Sequence, residues 1–275
     1  MTPCTILIPA HDESGYIDAC LDSLARQDHA GPVTVIVIAN GCRDDTAARA
    51  RAWSGPMAAR GWTLRVEELA EGGKIGALNH GEADAGPGIR VYLDADIRLS
   101  PHLLADLVAA LDHDAPGYAG GRLVVAPAQS RLSRIYARFW QRLPFVSQGV
   151  TGAGLFAVNA AGRRRWDRFP PVVSDDTFVR LQFREYERVL VDQPYLWPIA
   201  EGFGPLVRVR RRQDRGVAEI ARLYPGLMAD QGHVRPTRVQ LARLAARDPL
   251  GFVTYAAVAL AVRAGRQDQG WARGR

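Results

Sequence analysis

Two uninterrupted apolar runs, Cys4-Thr-Ile-Leu-Ile8 and Val33-Thr-Val-Ile-Val-Ile-Ala39, constrain what this chain can fold into more than any other feature. A strand with one wet face alternates apolar and polar residues, so β-branched runs without alternation read as strands of a parallel sheet covered on both faces. Between the runs, Ile17, Leu21 and Leu24 recur at helical spacing and complete a βαβ unit. The pattern continues with a helix from Asp44 as N-cap, a strand over Leu64 to Glu67, a helix over Lys74 to Ala85 and a strand over Ile89 to Leu93. This alternation predicts a doubly wound α/β sheet with right-handed crossovers, whose ligands bind beyond the carboxyl ends of the strands.

Further along, the pattern loosens. Ser100-Pro101 offers an N-cap and a first-position proline for a helix to Leu111. A strand over Tyr118 to Val125, a helix over Leu132 to Leu143, a strand over Gly154 to Val158 and a helix from Ser174 follow. From Gly216 the chain reads as helical to its end. The second half therefore predicts a mixed-sheet extension that holds a second substrate.

At 275 residues the chain can bury a sizeable core, and 47% apolar with 23% charged residues is ordinary globular composition. The formal charge of +6 gathers around residues 207 to 215 and the tail. No nucleic-acid-reading module accompanies it, so a phosphate-bearing small ligand is expected and nucleic acid is not. Cys4, Cys20 and Cys42 have neither disulfide nor zinc spacing, and Met1 leads straight into a strand without a signal peptide, so a cytoplasmic setting is expected. Leu250 to Val262 is apolar but too short to span a bilayer. Flanked by Arg247, Arg263 and Arg266, residues 250–266 suit a helix lying on the inner face of a membrane; an Ala-rich helix packed on the domain is the other reading.

The polar clusters fall in strand-to-helix turns. Pro9-Ala-His-Asp-Glu13 and Asn40-Gly-Cys-Arg-Asp-Asp-Thr46 could bond a base or ribose, or simply cap helices. Gly72-Gly73-Lys74 opens a helix where backbone N–H groups, the dipole and an ammonium could hold an anion, although P-loop spacing is absent. Asp94-Ala95-Asp96 closes an apolar strand with two carboxylates, which suits a hard divalent ion on a diphosphate; with Ser100 expected to cap the next helix, the pair has no capping duty there. Ser174-Asp175-Asp176 reads either as an N-cap with first-turn acids or as the seat of a general base. Arg208, Arg210, Arg211, Arg212 and Arg215 could clamp a diphosphate or form a solvated basic loop, and His233 reads as structural.

In their order along the chain, Ile8-Pro-Ala-His-Asp-Glu13, Ala39 to Thr46, Gly73-Lys-Ile-Gly-Ala-Leu-Asn79, Asp94-Ala-Asp96, Ser174-Asp-Asp176 and Arg212-Gln-Asp-Arg-Gly216 resemble glycosyltransferase family 2, over residues 4 to about 216. The resemblance implies a GT-A fold: an α/β, Rossmann-like, mostly parallel central sheet flanked by helices, here with a C-terminal helical extension. It implies an inverting transfer from a nucleotide diphosphate sugar donor to a hydroxyl-bearing acceptor (glycan, lipid or small molecule), with Mg2+ or Mn2+ bridging the donor's phosphates. Residues 1–98 would form the nucleotide-sugar-binding half, 99–216 the acceptor-binding and catalytic half of the same domain, and 217–275 the extension. On the family's motifs, Pro9, Glu13, Asn40 and Lys74 would meet the nucleoside and phosphate, Asp94 with Ala95 the ribose or sugar, and Asp96 the metal. Asp176 would be the catalytic base with Asp175 beside it, and the Asp-Asp pair leaves open which of the two takes the proton. Arg212 and Arg215 would lie over the diphosphate, and Gly152 and Gly154 would form the acceptor-side loop. Asn40 stands where the family often has an acid, while Arg212 and Gly216 replace a Gln and a Trp, which argues against a processive polysaccharide synthase. A sugar-phosphate nucleotidyltransferase would need a basic Gly-rich loop where Pro9 to Glu13 is acidic, and a non-catalytic nucleotide-sugar-binding protein would keep the same carboxylates.

Overall fold

The computed structural model describes residues 2–230 and 236–265; His233 and Arg266 lie outside the described residues. The two apolar runs form β1 (Cys4–Ala10) and β2 (Val33–Asn40), covered on both faces as their lack of alternation requires. On β1, Ile6 and Ile8 join one core with Ile17, Leu21 and Leu24 of α1 (Ile17–Ala25), while Leu7 joins another with Ala77 and Leu78. The chain continues through α2 (Thr46–Ala52), α3 (Ser54–Ala59), β3 (Thr63–Leu69), α4 (Lys74–Ala83) and β4 (Ile89–Leu93). β5 (Arg98–Leu99), α5 (Leu103–Leu111), β6 (Tyr118–Val125), α6 (Arg131–Trp140), α7 (Pro144–Ser147), β7 (Leu155–Val158), α8 (Ala160–Arg163) and α9 (Asp175–Arg180) follow. The last elements are β8 (Arg188–Trp197), α10 (Phe203–Leu223), α11 (Arg238–Arg247) and α12 (Pro249–Ala264).

The eight strands form one sheet in the order β3-β2-β1-β4-β7-β6-β8-β5. β1 to β4 pair in parallel, β7 runs against both β4 and β6, and β8 runs with β6. Two reversals restore direction, so the carboxyl ends of β1, β2, β4, β6 and β8 emerge on one edge. That edge is where a sheet of this kind takes its ligands.

Several boundaries differ from the sequence reading, each for a local reason. α2 begins at Thr46 with Asp45 in the N-cap position, because the Asp44 carboxylate is occupied by the amides of Thr46 and Ser14, at 3.1 Å each. α5 begins at Leu103 after His102, so Ser100 is not its cap; the Ser100 hydroxyl turns to Gln193 Oε1 at 3.4 Å. Ser174 does occupy the N-cap position of α9, but its side chain makes no capping bond. β8 was not expected at all. Its Asp192, Gln193 and Pro194 interrupt any alternation, and the ladder with β6 accommodates them through a bulge between Gly120 and Arg122. The arginine cluster lies on the 21-residue helix α10, not on a loop, and the division between residues 216 and 217 falls inside that helix.

Candidate functional site

The turns after β1 and β2 are locked to each other and to the start of α4. The Asn40 side chain is 2% exposed, and its Nδ2 donates to Ala10 O at 2.8 Å and Ile38 O at 3.2 Å. Its Oδ1 accepts from Gly73 N at 2.8 Å, and its own carbonyl receives His11 Nδ1 at 2.6 Å. The amide expected to face the nucleoside is thus fully used by the backbone of three loops. Gly41, at φ 59°, explains how closely these loops approach: a Cβ there would lie 2.6 Å from Gly72 N. Pro9 pairs in register with Ile38 inside the sheet, and the Glu13 amide donates to Thr46 Oγ1 at 2.7 Å, so both help shape this wall.

α4 starts with no side-chain cap, which leaves its first N–H groups pointing at the ligand edge. Lys74, its first residue, reaches across that edge. Its Nζ lies 2.8 Å from Asp94 Oδ1 and 3.1 Å from Asp175 Oδ2. Burial works against the ammonium charge, but the carboxylates of Asp175 and Asp94, with Asp176 behind them, outweigh it and hold the Lys74 pKa above the ordinary lysine value. One side chain therefore joins the end of β4 to the start of α9, bringing together motifs distant in sequence.

Around this lysine the acidic groups play different parts. Asp175 is 5% exposed, and its Oδ2 meets the Lys74 ammonium as an ion pair. Asp176 is partly accessible and accepts from the Thr177 amide at 2.6 Å. Burial first, then the neighbouring Asp175 charge, raise its pKa to about 6, with Lys74 opposing. Asp94 is fixed by its amide, which donates to Gly154 O at 2.8 Å, while Ala95 is buried beneath the turn. Cys20 of α1 packs below, its Sγ 3.9 Å from Asp94 O; burial and then the charges of Asp96, Asp94 and Glu13 raise its thiol pKa.

The glycine loop closes the cluster. Gly152 (φ 74°) and Gly154 (φ 73°) are both left-handed, and a Cβ on Gly152 would lie 2.3 Å from Tyr118 Oη and 3.6 Å from Asp176 Cβ. A Cβ on Gly154 would meet Ile97 at 2.7 Å and Trp197 at 3.2 Å. α10 packs behind α9: a Cβ on Gly216 would lie 2.1 Å from Ser174 Oγ, and Glu219 accepts from Val173 N at 2.9 Å. Gly216 is therefore required where the family pattern has Trp, because α10 touches the very residue that precedes Asp175. Arg212 sits one turn before Gly216 on the same face, with Arg215 alongside. Arg210 and Arg211 point elsewhere: Arg210 bonds Asp214 at 3.1 Å, and Arg211 donates to Ala261 O at 2.7 Å, tying α10 to α12.

Sequence reasoning missed three aromatic contributors. Tyr195 Oη donates to Ala153 O at 2.8 Å and supports the glycine loop, while Tyr118 Oη is buried beneath it without a hydrogen bond. Trp197 stacks on Trp140 at 5.5 Å beside Gly154. Tyr195 and Trp197 belong to β8, the strand with no legible period, and Tyr118 reads only as the first residue of a strand.

The donor set fits a divalent ion of the Mg2+ or Mn2+ type in one specific manner. Carboxylate oxygens are the hard ligands such ions take. Yet among the described residues the triads with donor atoms within 4.8 Å of one another are Asp12, Cys42, Asp44 and Glu67, His80, Asp84, not the Asp94 to Asp96 turn. Among the described residues the turn makes no cluster of three protein donors; Asp96, with Asp94 beside it, would supply hard carboxylate oxygens to such an ion.

A mannosyltransferase from Pyrobaculum calidifontis, solved with GDP-Man and Mn2+, is similar in structure: TM-score 0.59, 22% identity, 96% of this chain and 76% of that one. TarS from S. aureus with UDP-GlcNAc gives TM-score 0.55 at 15% identity over 95% of this chain and 82% of that one. In another TarS structure, matched at TM-score 0.53 and 18% identity, the chain covers only 40% of the other's length. Glucosyl-3-phosphoglycerate synthase from Mycobacterium tuberculosis with Mg2+ and UDP gives TM-score 0.53 at 18% identity, over 80% and 79%. No curated protein sequence matches the chain. The fold and its acidic edge define a glycosyltransferase of the GT-A class. The family model for glycosyl transferase family 2 matches residues 5–169, and the chain belongs to that family. The matched segment ends before Asp175, so the part of the site around Asp175 and Asp176 rests on geometry.

Proposed function

We propose that this chain transfers one sugar from a nucleotide diphosphate donor to an acceptor hydroxyl, with inversion at the anomeric carbon. The observation that carries the reading is Lys74 Nζ, 2.8 Å from Asp94 and 3.1 Å from Asp175, which makes one site of the donor edge and the acidic start of α9. Asp176 is the base: its carboxylate takes the acceptor's O–H proton while that oxygen bonds to the anomeric carbon. The bond from that carbon to the diphosphate oxygen breaks, and the electron pair leaves with the nucleotide diphosphate. Asp175 is buried and committed to Lys74, so it orients the ammonium instead of competing for the proton. Lys74, the open N–H groups of α4, and Arg212 with Arg215 answer the charge that grows on the leaving group. Asp96 would hold a Mg2+ or Mn2+ ion, which when bound neutralises the diphosphate. Glu13 and Asp94 bond the nucleoside and sugar, and Trp197 with the Gly152 to Gly154 loop borders the acceptor. Three free cysteines support work in a reducing cytoplasm.

Incubating the protein with Mn2+ and a panel of UDP-, GDP- and dTDP-sugars tests this directly. Release of nucleotide diphosphate is expected for at least one donor, with product of inverted anomeric configuration by NMR. Tight binding without turnover of any donor would make the chain a nucleotide-sugar-binding protein instead.

A further inference from the structure

α11 and α12 present a face that transfer chemistry does not use. α12 is anchored by its inner side: Phe252 and Tyr255 pack on Phe139 of α6 at 5.8 and 5.4 Å, and Val258 is 1% exposed. Its start is fixed by Asp248, whose carboxylate accepts from Arg138 at 2.6 and 2.8 Å and from Gly251 N at 3.0 Å. The outer side is apolar and exposed. Leu250, Val253 and Leu260 are 54%, 61% and 64% exposed, and with Ala257 and Ala264 they form one stripe along the helix. On the neighbouring α11, Val239 is 60% exposed as well.

The exposed charges that α11 and α12 themselves carry have one sign. Arg238, Arg243, Arg247 and Arg263 are all exposed, and between residues 236 and 265 the sole acid is Asp248, buried and already bound by arginine. No helix among the described residues is long and apolar enough to cross a membrane, so insertion across a bilayer is not what this face offers. An apolar stripe bordered by arginines is the pattern of a helix lying in the interface of an anionic lipid surface. A second copy fits poorly. Isologous pairing would set the arginines of both copies against each other, and three large apolar side chains fall well short of the about 800 Å² per partner that a stable interface buries.

We propose that α11 and α12 dock this protein on an anionic membrane surface, with Leu250, Val253 and Leu260 entering the headgroup boundary and the four arginines meeting lipid phosphates. The docking is independent of sugar transfer, so turnover of a soluble donor is unchanged by its loss.

Co-sedimentation of the full chain with vesicles tests it. Binding is expected to phosphatidylcholine vesicles containing phosphatidylglycerol and not to phosphatidylcholine alone. Replacing Leu250, Val253 and Leu260 together by Ser should weaken partitioning about tenfold or more, with unchanged melting because the three side chains are exposed. The pair Arg243→Gln and Arg247→Gln should remove most of the preference for anionic lipid and its salt sensitivity. Equal binding to both vesicles, no binding to either, or undiminished binding by the triple Ser variant would overturn the proposal. So would a dimer, seen by light scattering without lipid, that the triple variant dissolves.

Discussion

The turns after β1 and β2 satisfy themselves, whereas the turn before α9 does not. On the nucleoside side Asn40 ties three loops together, Asp44 caps two amides, and Thr46 accepts from Glu13. Around the start of α9, Tyr118 Oη is buried without a hydrogen bond, Asp175 is buried against the Lys74 ammonium at 3.1 Å, and Asp176 holds a raised pKa. Satisfied turns make a preformed cradle; unsatisfied groups mark where a ligand must finish the structure.

The largest way to break this contrast is Asp176→Asn. Transfer is expected to fall by about 10²- to 10⁴-fold while nucleotide binding, read by calorimetry, persists. If Asp175→Asn gives that phenotype and Asp176→Asn does not, the two roles are exchanged. The pH profile sharpens the same point. A carboxyl titrating near 6 cannot accept a proton below that pH, so kcat/KM should fall as pH drops through about 6. A rate that stays flat down to the ordinary carboxylate range would remove Asp176 as the base.

On the cradle side, Asn40→Ala strands the Gly73 amide and two carbonyls, and should cost about 1–3 kcal/mol in chemical denaturation. Preference among UDP, GDP and dTDP should keep its order, since the amide is turned inward; a reordered preference would show that Asn40 reads the base. Lys74→Met strands Asp175, but Lys74 is 42% exposed, so the loss should be about 1–2 kcal/mol. Adding Asp175→Asn should recover part of it, because the stranded charge is gone. Tyr118→Phe removes a hydroxyl that already lacks a partner, and stability should move by less than about 0.5 kcal/mol. A larger loss would reveal a bond to that hydroxyl in solution.

The same two regions differ in how far the sequence reveals them. β1, β2 and β4 are doubly covered, so burial writes itself as continuous apolar runs, and Asp94 and Asp96 are legible as the polar end of one run. β8 runs between β6 and β5, and its Asp192-Gln193-Pro194 is tolerated only because of a bulge in the ladder; no local period announces that. Tyr195 and Trp197 were lost with it. Ser100 does not cap α5, and Ser174 holds the N-cap position of α9 without a side-chain bond, for a related reason: the Ser100 hydroxyl is drawn to Gln193 of β8, and Ser174 lies against Gly216 of α10. Local propensity sees neither partner. Asn40 shows the converse, a recognised motif position whose chemistry is spent on the backbone, which spacing alone does not disclose.

The central claim is that the end of β4 and the start of α9 form one site with divided labour, Asp96 for the donor's metal and Asp176 for the proton. Calorimetric titration of UDP, GDP and dTDP into the wild type, Asp96→Asn and Asp176→Asn, each with and without Mn2+, separates the two. The expected result is that Asp176→Asn binds its nucleotide like the wild type, while Asp96→Asn loses affinity chiefly when Mn2+ is present. Asp96→Asn binding as tightly as the wild type with Mn2+ would contradict the account.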